Sequence, residues 1–108
     1  MSIDYDSIDD GIIGAVKVLR EAGIETFESC QGGFSHPHKR PVIWFTGDEQ
    51  EGFRAEELAT KAGYQVFHIG RFWYSRQGQR YGPYWEIAFI SGVAHRGPSE
   101  AETAMPET

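Results

Sequence analysis

The chain has 108 residues, with 16 Asp plus Glu against 10 Lys plus Arg, a formal net charge of −6, one Cys, seven Phe, five Tyr and three Trp. That length makes one domain, and a 40 % hydrophobic, 24 % charged composition buries enough apolar surface to exclude wholesale disorder. A single cysteine excludes an internal disulfide and any zinc site built from two cysteines of one chain.

Residues 7–22 place Ile8, Ile12, Ala15, Val16 and Leu19 at helical spacing, with Asp6 or Ser7 as N-cap, Asp9 and Asp10 in the first turn and Gly23 past the end. Residues 24–30 and 42–46 are rich in β-formers and predict two strands separated by a loop. A second helix is predicted over about 49–62, with Phe53 near its start, Ala55, Leu58, Ala59 and Ala62 on one side, and Gly63 after it. Residues 64–75 and 84–91 predict a hairpin enclosing a long basic loop around Arg76-Gln77-Gly78-Gln79. Residues 1–92 are expected to form the domain and 93–108, with Pro98, Pro106 and three Glu, a solvated tail. No apolar run approaches the roughly 20 residues of a membrane-spanning helix, and the acidic start lacks the basic and apolar regions of a signal peptide. A cytoplasmic location is the expectation.

Glu21-Ala22-Gly23-Ile24-Glu25-Thr26-Phe27 has the outline of Lys61-Ala62-Gly63-Tyr64-Gln65-Val66-Phe67, and Phe45-Thr46-Gly47 echoes Ile90-Ser91-Gly92. The order is that of an αββ-αββ pseudo-repeat. Each helix has one apolar stripe to bury, so the expected fold is α+β, a four-stranded, mostly antiparallel sheet with both helices on one face. Period-2 alternation turns Phe67, Ile69, Trp85, Ile87 and Phe89 toward the helices and His68, Tyr74, Tyr84 and Glu86 away from them. An open face of that composition is a candidate ligand platform or homodimer interface.

The charge is unevenly distributed. Residues 1–28 carry seven acids against Lys17 and Arg20, and residues 48–57 carry five against Arg54, whereas residues 68–85 hold Arg71, Arg76 and Arg80 with no acid at all. Three constellations follow. The first is Cys30, Gly32, Gly33, His36 and His38, with Lys39 and Arg40 beside them. Cys30 would be a nucleophile activated by His36 or His38 with the glycine amides as an anion nest, or the three side chains would be metal ligands of non-standard spacing, or Cys30 is a small buried hydrophobe. The second interleaves Arg71, Arg76 and Arg80 with aromatics including Trp73, a pattern that stacks on flat rings and pairs with anions, or that is strand core with solvated arginines. The third is an acidic surface of Asp9, Asp10, Glu56 and Glu57, either a partner surface for a basic protein or a solvated helix face, with Asp9, Asp10, Glu49 and Glu51 as dipole complements.

The segments GIETFESCQGG, EGFRAEELA and GPYWEIAF resemble those of small uncharacterised proteins of bacterial genomes and their phages or prophages, over residues 23 to 89. The resemblance carries no catalytic residue; it implies an accessory protein that binds and blocks a host component, including a defence component. A fainter similarity is to the wybutosine-synthesis methyltransferase-like domain at Ser29, Cys30 and Gly32, where Gly33 replaces the basic residue of that pattern, so tRNA modification is not implied.

The expectation is a non-enzymatic binding protein, without cofactor or metal, contacting a host protein or a small anionic or nucleotide ligand through Cys30, Gly32, Gly33, His36, His38, Arg71, Trp73, Arg76 and Arg80. Extended nucleic acid and membrane are not expected partners, because net cations over the whole contact surface are missing. The alternative is a small thiol- or metal-dependent enzyme acting on a nucleotide or RNA through Cys30, His36 and His38.

Overall fold

In a computed structural model of the chain, which describes residues 8–33 and 38–94, helix α1 covers Ile13–Glu21 and helix α2 covers Glu49–Lys61. α1 starts well after Ser7. Gly11 and Gly14 weaken helix propensity there, and the Asp9 carboxylate is engaged elsewhere, accepting the Gln31 backbone N–H at 3.1 Å while Gln31 Oε1 accepts the Gly11 N–H at 2.9 Å. Ile12 at the N-cap position makes no side-chain cap, so Asp9 and Asp10 precede α1 instead of complementing its dipole. The predicted caps Asp6 and Ser7 lie outside the described residues. α2 matches its sequence signals: Asp48 accepts the Glu51 N–H at 3.0 Å, and Glu49 and Glu51 occupy the first turn.

Four strands, β1 (Thr26–Cys30), β2 (Val42–Phe45), β3 (Val66–Arg76) and β4 (Gln79–Phe89), form one antiparallel sheet in the order β1-β2-β4-β3. Both helices cover the same face. Ile12, Val16 and Leu19 with Ala55 and Ala59 of α2 pack on Ile43, Phe45, Trp85, Ile87 and Phe89, and the protein is an α+β fold. Ala94 still packs against this core, two residues past the expected boundary, and 95–108 lie outside the described residues. No described helix is long and apolar enough to cross a membrane.

The two halves close with matching hydrogen bonds. Gly23 N–H donates to Arg20 O and Gly63 N–H to Thr60 O, both at 3.0 Å; Thr46 N–H donates to Glu25 O at 3.1 Å and Ile90 N–H to Gln65 O at 2.9 Å. In these bonds Thr46 and Ile90 take like places, whereas the sequence echo sets Thr46 against Ser91, and the pseudo-repeat is not confirmed. The hairpins differ in size, with strands of 5 and 4 residues in the first and 11 and 11 in the second.

Two expectations about the second hairpin are corrected. Arg76-Gln77-Gly78-Gln79 is not a long loop: Arg76 pairs with Gln79, and the turn is Gln77-Gly78 alone, with φ of 52° and 77°. Two successive positive φ values make the primed turn that suits the right-handed twist of paired strands. Phe67 does not meet the helices and is 54 % exposed. The register shifts between Val66, which pairs with Phe89, and His68, which pairs with Ala88, so Val66 takes the inward place and Phe67 joins His68 outside. Ile69, Trp85, Ile87 and Phe89 face the helices as alternation requires.

Candidate functional site

The face of the sheet turned away from the helices is built from the alternate residues of the same strands. Trp44 lies between inward Ile43 and Phe45, Glu86 is opposite it on β4, and Gly70 is opposite Glu86 on β3. β1 begins with its own register shift, between Thr26 and Glu28, which leaves Thr26 buried and turns Phe27 outward, where its ring meets those of Trp44 and Tyr84.

Four rings on this face close a circuit: Phe27 to Trp44 at 6.2 Å between centroids, Trp44 to Phe72 at 4.7 Å, Phe72 to Tyr84 at 5.8 Å and Tyr84 back to Phe27 at 4.8 Å. Their planes are tilted by 48° to 56°, between stacked and edge-to-face arrangements. The array continues toward the hairpin through Tyr74 and Tyr81, stacked at 5.4 Å. At the other end the His38 ring stands edge-on to Trp44 at 5.6 Å, and the Arg40 guanidinium lies 3.9 Å over Phe67. Trp44 Nε1–H donates to Glu86 Oε2 at 2.9 Å, fixing a carboxylate among the rings.

The residues singled out from the sequence do not form one site. Cys30 is buried at 5 % exposure with Val42 and Ala88, and its Sγ accepts the Gly32 N–H at 3.4 Å. Gly33 N–H donates to Lys39 O at 3.1 Å, so both amides of the expected anion nest are engaged within the chain. The glycines serve closeness: a Cβ at Gly32 would stand 2.5 Å from the Arg40 carbonyl carbon. His38 is turned to Trp44, and His36 lies outside the described residues. Among the described residues no three His, Cys, Asp or Glu side chains gather as a metal site.

The arginine-aromatic segment splits by face. Arg71 stacks 4.6 Å over Trp85 and donates to Gly47 O at 3.0 Å, so it belongs to the helix side. Trp73, 56 % exposed, and Arg80 alternate with the ring-face residues Phe72, Tyr74 and Tyr81, which places them on that side as well. Arg76 shares the open face with Tyr74, eight residues and about 26 Å along β3 from His68. Of the acidic set, Asp9 holds Gln31, Asp10 and Glu57 are exposed, and Glu56 is half-buried.

The sequence parity identified Tyr74, Tyr84, His68 and Glu86 on the open face but missed Trp44, Phe27, Phe72 and Phe67. Trp44 and Phe72 were within reach of the same alternation, applied to 42–46 and carried from Tyr74 back along β3. Phe27 and Phe67 follow from register shifts that only strand pairing reveals. No protein-family model, curated protein or solved structure matches the chain.

Proposed function

We propose that this chain is a non-enzymatic binding protein whose working surface is the open face of the sheet, and that its ligand is flat, aromatic and anionic, of the nucleotide class. The observation that carries this reading is the circuit of Phe27, Trp44, Phe72 and Tyr84, left uncovered by both helices. Phe27 is exposed and Trp44, Phe72 and Tyr84 are half-buried, and a ring face open to solvent is one on which a base stacks, an interaction worth about 1–3 kcal/mol per base. Charge supports the anionic part. Arg40 stands at one end, over Phe67, and Arg76 at the other, while Glu28 and Glu86 share the Trp44 row between them, so the two ends of the face are the places for an anionic group. A buried Cys30 and a His38 committed to Trp44 favour binding over thiol chemistry.

The test is a titration of the labelled protein with mononucleotides, following backbone amide shifts. Shifts concentrated on β2, β4 and the Lys39-Arg40 segment, lost in Trp44→Ala and Tyr84→Ala and kept in Arg71→Ala, are expected. Shifts confined to the helix side, or none at millimolar nucleotide, would overturn the reading.

A further inference from the structure

We infer that Glu86 is a specificity-determining residue of this face, selecting guanine over the other bases; the inference rests on the nucleotide reading of the open sheet. Glu86 is half-buried among aromatic rings, and its Oε2 accepts from Trp44 Nε1 at 2.9 Å. That bond holds the carboxylate in place and leaves it an acceptor with spare lone pairs, since an ionised carboxylate offers about four acceptor sites and no donor. On its β3 side stands Gly70, which projects no side chain; the His68 ring leans over that position, its Nε2 2.8 Å from where a Cβ at Gly70 would be. An acceptor-only group fixed beside the Trp44 indole, with only Gly70 on its other side, recognises a flat ring that presents two adjacent donors. Guanine does so, with N1–H beside the N2 amino group. Adenine sets its ring nitrogen acceptor beside its amino group, cytosine does the same, and uracil flanks one N–H with two carbonyls, so each brings an acceptor against the carboxylate. Paired N–H···O⁻ bonds are the strong, directional kind.

A cation for the phosphate stands on the same side of Glu86: the Ala88 row, itself buried, carries exposed His68, next to the Phe67 ring under the Arg40 guanidinium. A guanidinium-bearing or alkylammonium ligand would also suit a carboxylate among rings, but Arg40 repels it and attracts a phosphate.

The experiment measures affinities of guanosine, inosine and adenosine monophosphates for the full chain, by calorimetry, with wild type and Glu86→Gln. Guanosine monophosphate should bind at least about tenfold more tightly than adenosine monophosphate, with inosine monophosphate, which lacks the amino donor, in between. Gln retains an acceptor for Trp44 but places an amide donor against the base. In that variant the guanosine preference should be lost or reversed, because the amide's donor and acceptor match the adenine edge, and adenosine binding, kept or strengthened, also reports that the platform is folded. The inosine comparison leaves the protein unaltered and so needs no variant. Equal binding of the three nucleotides would overturn the role of Glu86 and leave the platform standing. Binding of methylguanidine with no nucleotide competing, or no nucleotide binding at all, would overturn both.

Discussion

Gly52 of α2 lies flat against the six-membered ring of Trp85, so close that a Cβ at position 52 would enter the van der Waals envelope of Cε2, Cζ2 and Cδ2. The indole cannot step aside. It is buried, its Nε1–H donates to Asp48 O at 2.9 Å, and its ring is stacked 6.3 Å from Phe45 and covered by Arg71. The glycine is the means by which α2 reaches the sheet at its N-terminal end.

Gly52→Ala should therefore destabilise the protein even though alanine is the better helix former. The helix gain of about 1 kcal/mol is set against about 1–3 kcal/mol for forcing a bulkier group into a packed core. A urea titration should show a lower midpoint with unchanged slope; a midpoint equal to or above wild type would show that the indole has room to move.

The turn between β3 and β4 gives a substitution of opposite sign. Gln77 is the one non-glycine residue with positive φ among the described residues, and it holds the first central place of a primed turn. Asparagine tolerates that conformation better than glutamine. Gln77→Asn should raise stability by about 0.5 kcal/mol, and Gly78→Ala should lower it by about 1 kcal/mol, although nothing lies within 4 Å of a Cβ there, because the strain is in the backbone at φ 77°. Thermal melts of the two variants would check the pair of signs.

Tyr64 supplies the pH dependence. Burial raises its hydroxyl pKa above the ordinary 10.0, since desolvation penalises the phenolate. The sign follows from linkage: as pH rises through 10.0 the unfolded chain releases this proton first, the folded state binds more protons than the unfolded one, and stability falls. Below that range the residue contributes no slope. Denaturant midpoints measured on either side of it should drop less steeply for Tyr64→Phe than for wild type, and parallel curves would remove Tyr64 from the alkaline response.

What the sequence made legible is what depends on local chemistry. Gly23 and Gly63 mark helix ends, Asp48 and Glu51 mark the start of α2, and the alternation Trp85, Ile87, Phe89 finds the inward side of β4. What it left hidden depends on a partner. Whether Phe67 points in or out is decided by a count of residues against Phe89 and Ala88, and Asp9 leaves the helix start because Gln31, 22 residues away, takes its carboxylate. The Arg-aromatic segment misled for a related reason: consecutive residues of a strand lie on opposite faces, so Arg71 and Arg76 are near in sequence and apart in space.

The register shifts at Phe27 and Phe67 have a bearing beyond the rings they turn outward. β1 and β3 are the outer strands of the sheet, and each carries such a shift on its first few residues, Thr26 to Glu28 and Val66 to His68, with a further shift in the β3–β4 pairing between Phe72 and Tyr74. A bulged border strand twists and breaks the even row of amides and carbonyls that another chain would need to zip onto it. Sideways growth of the sheet is thereby discouraged where each rim strand begins, beside the exposed rings of Phe27 and Phe67.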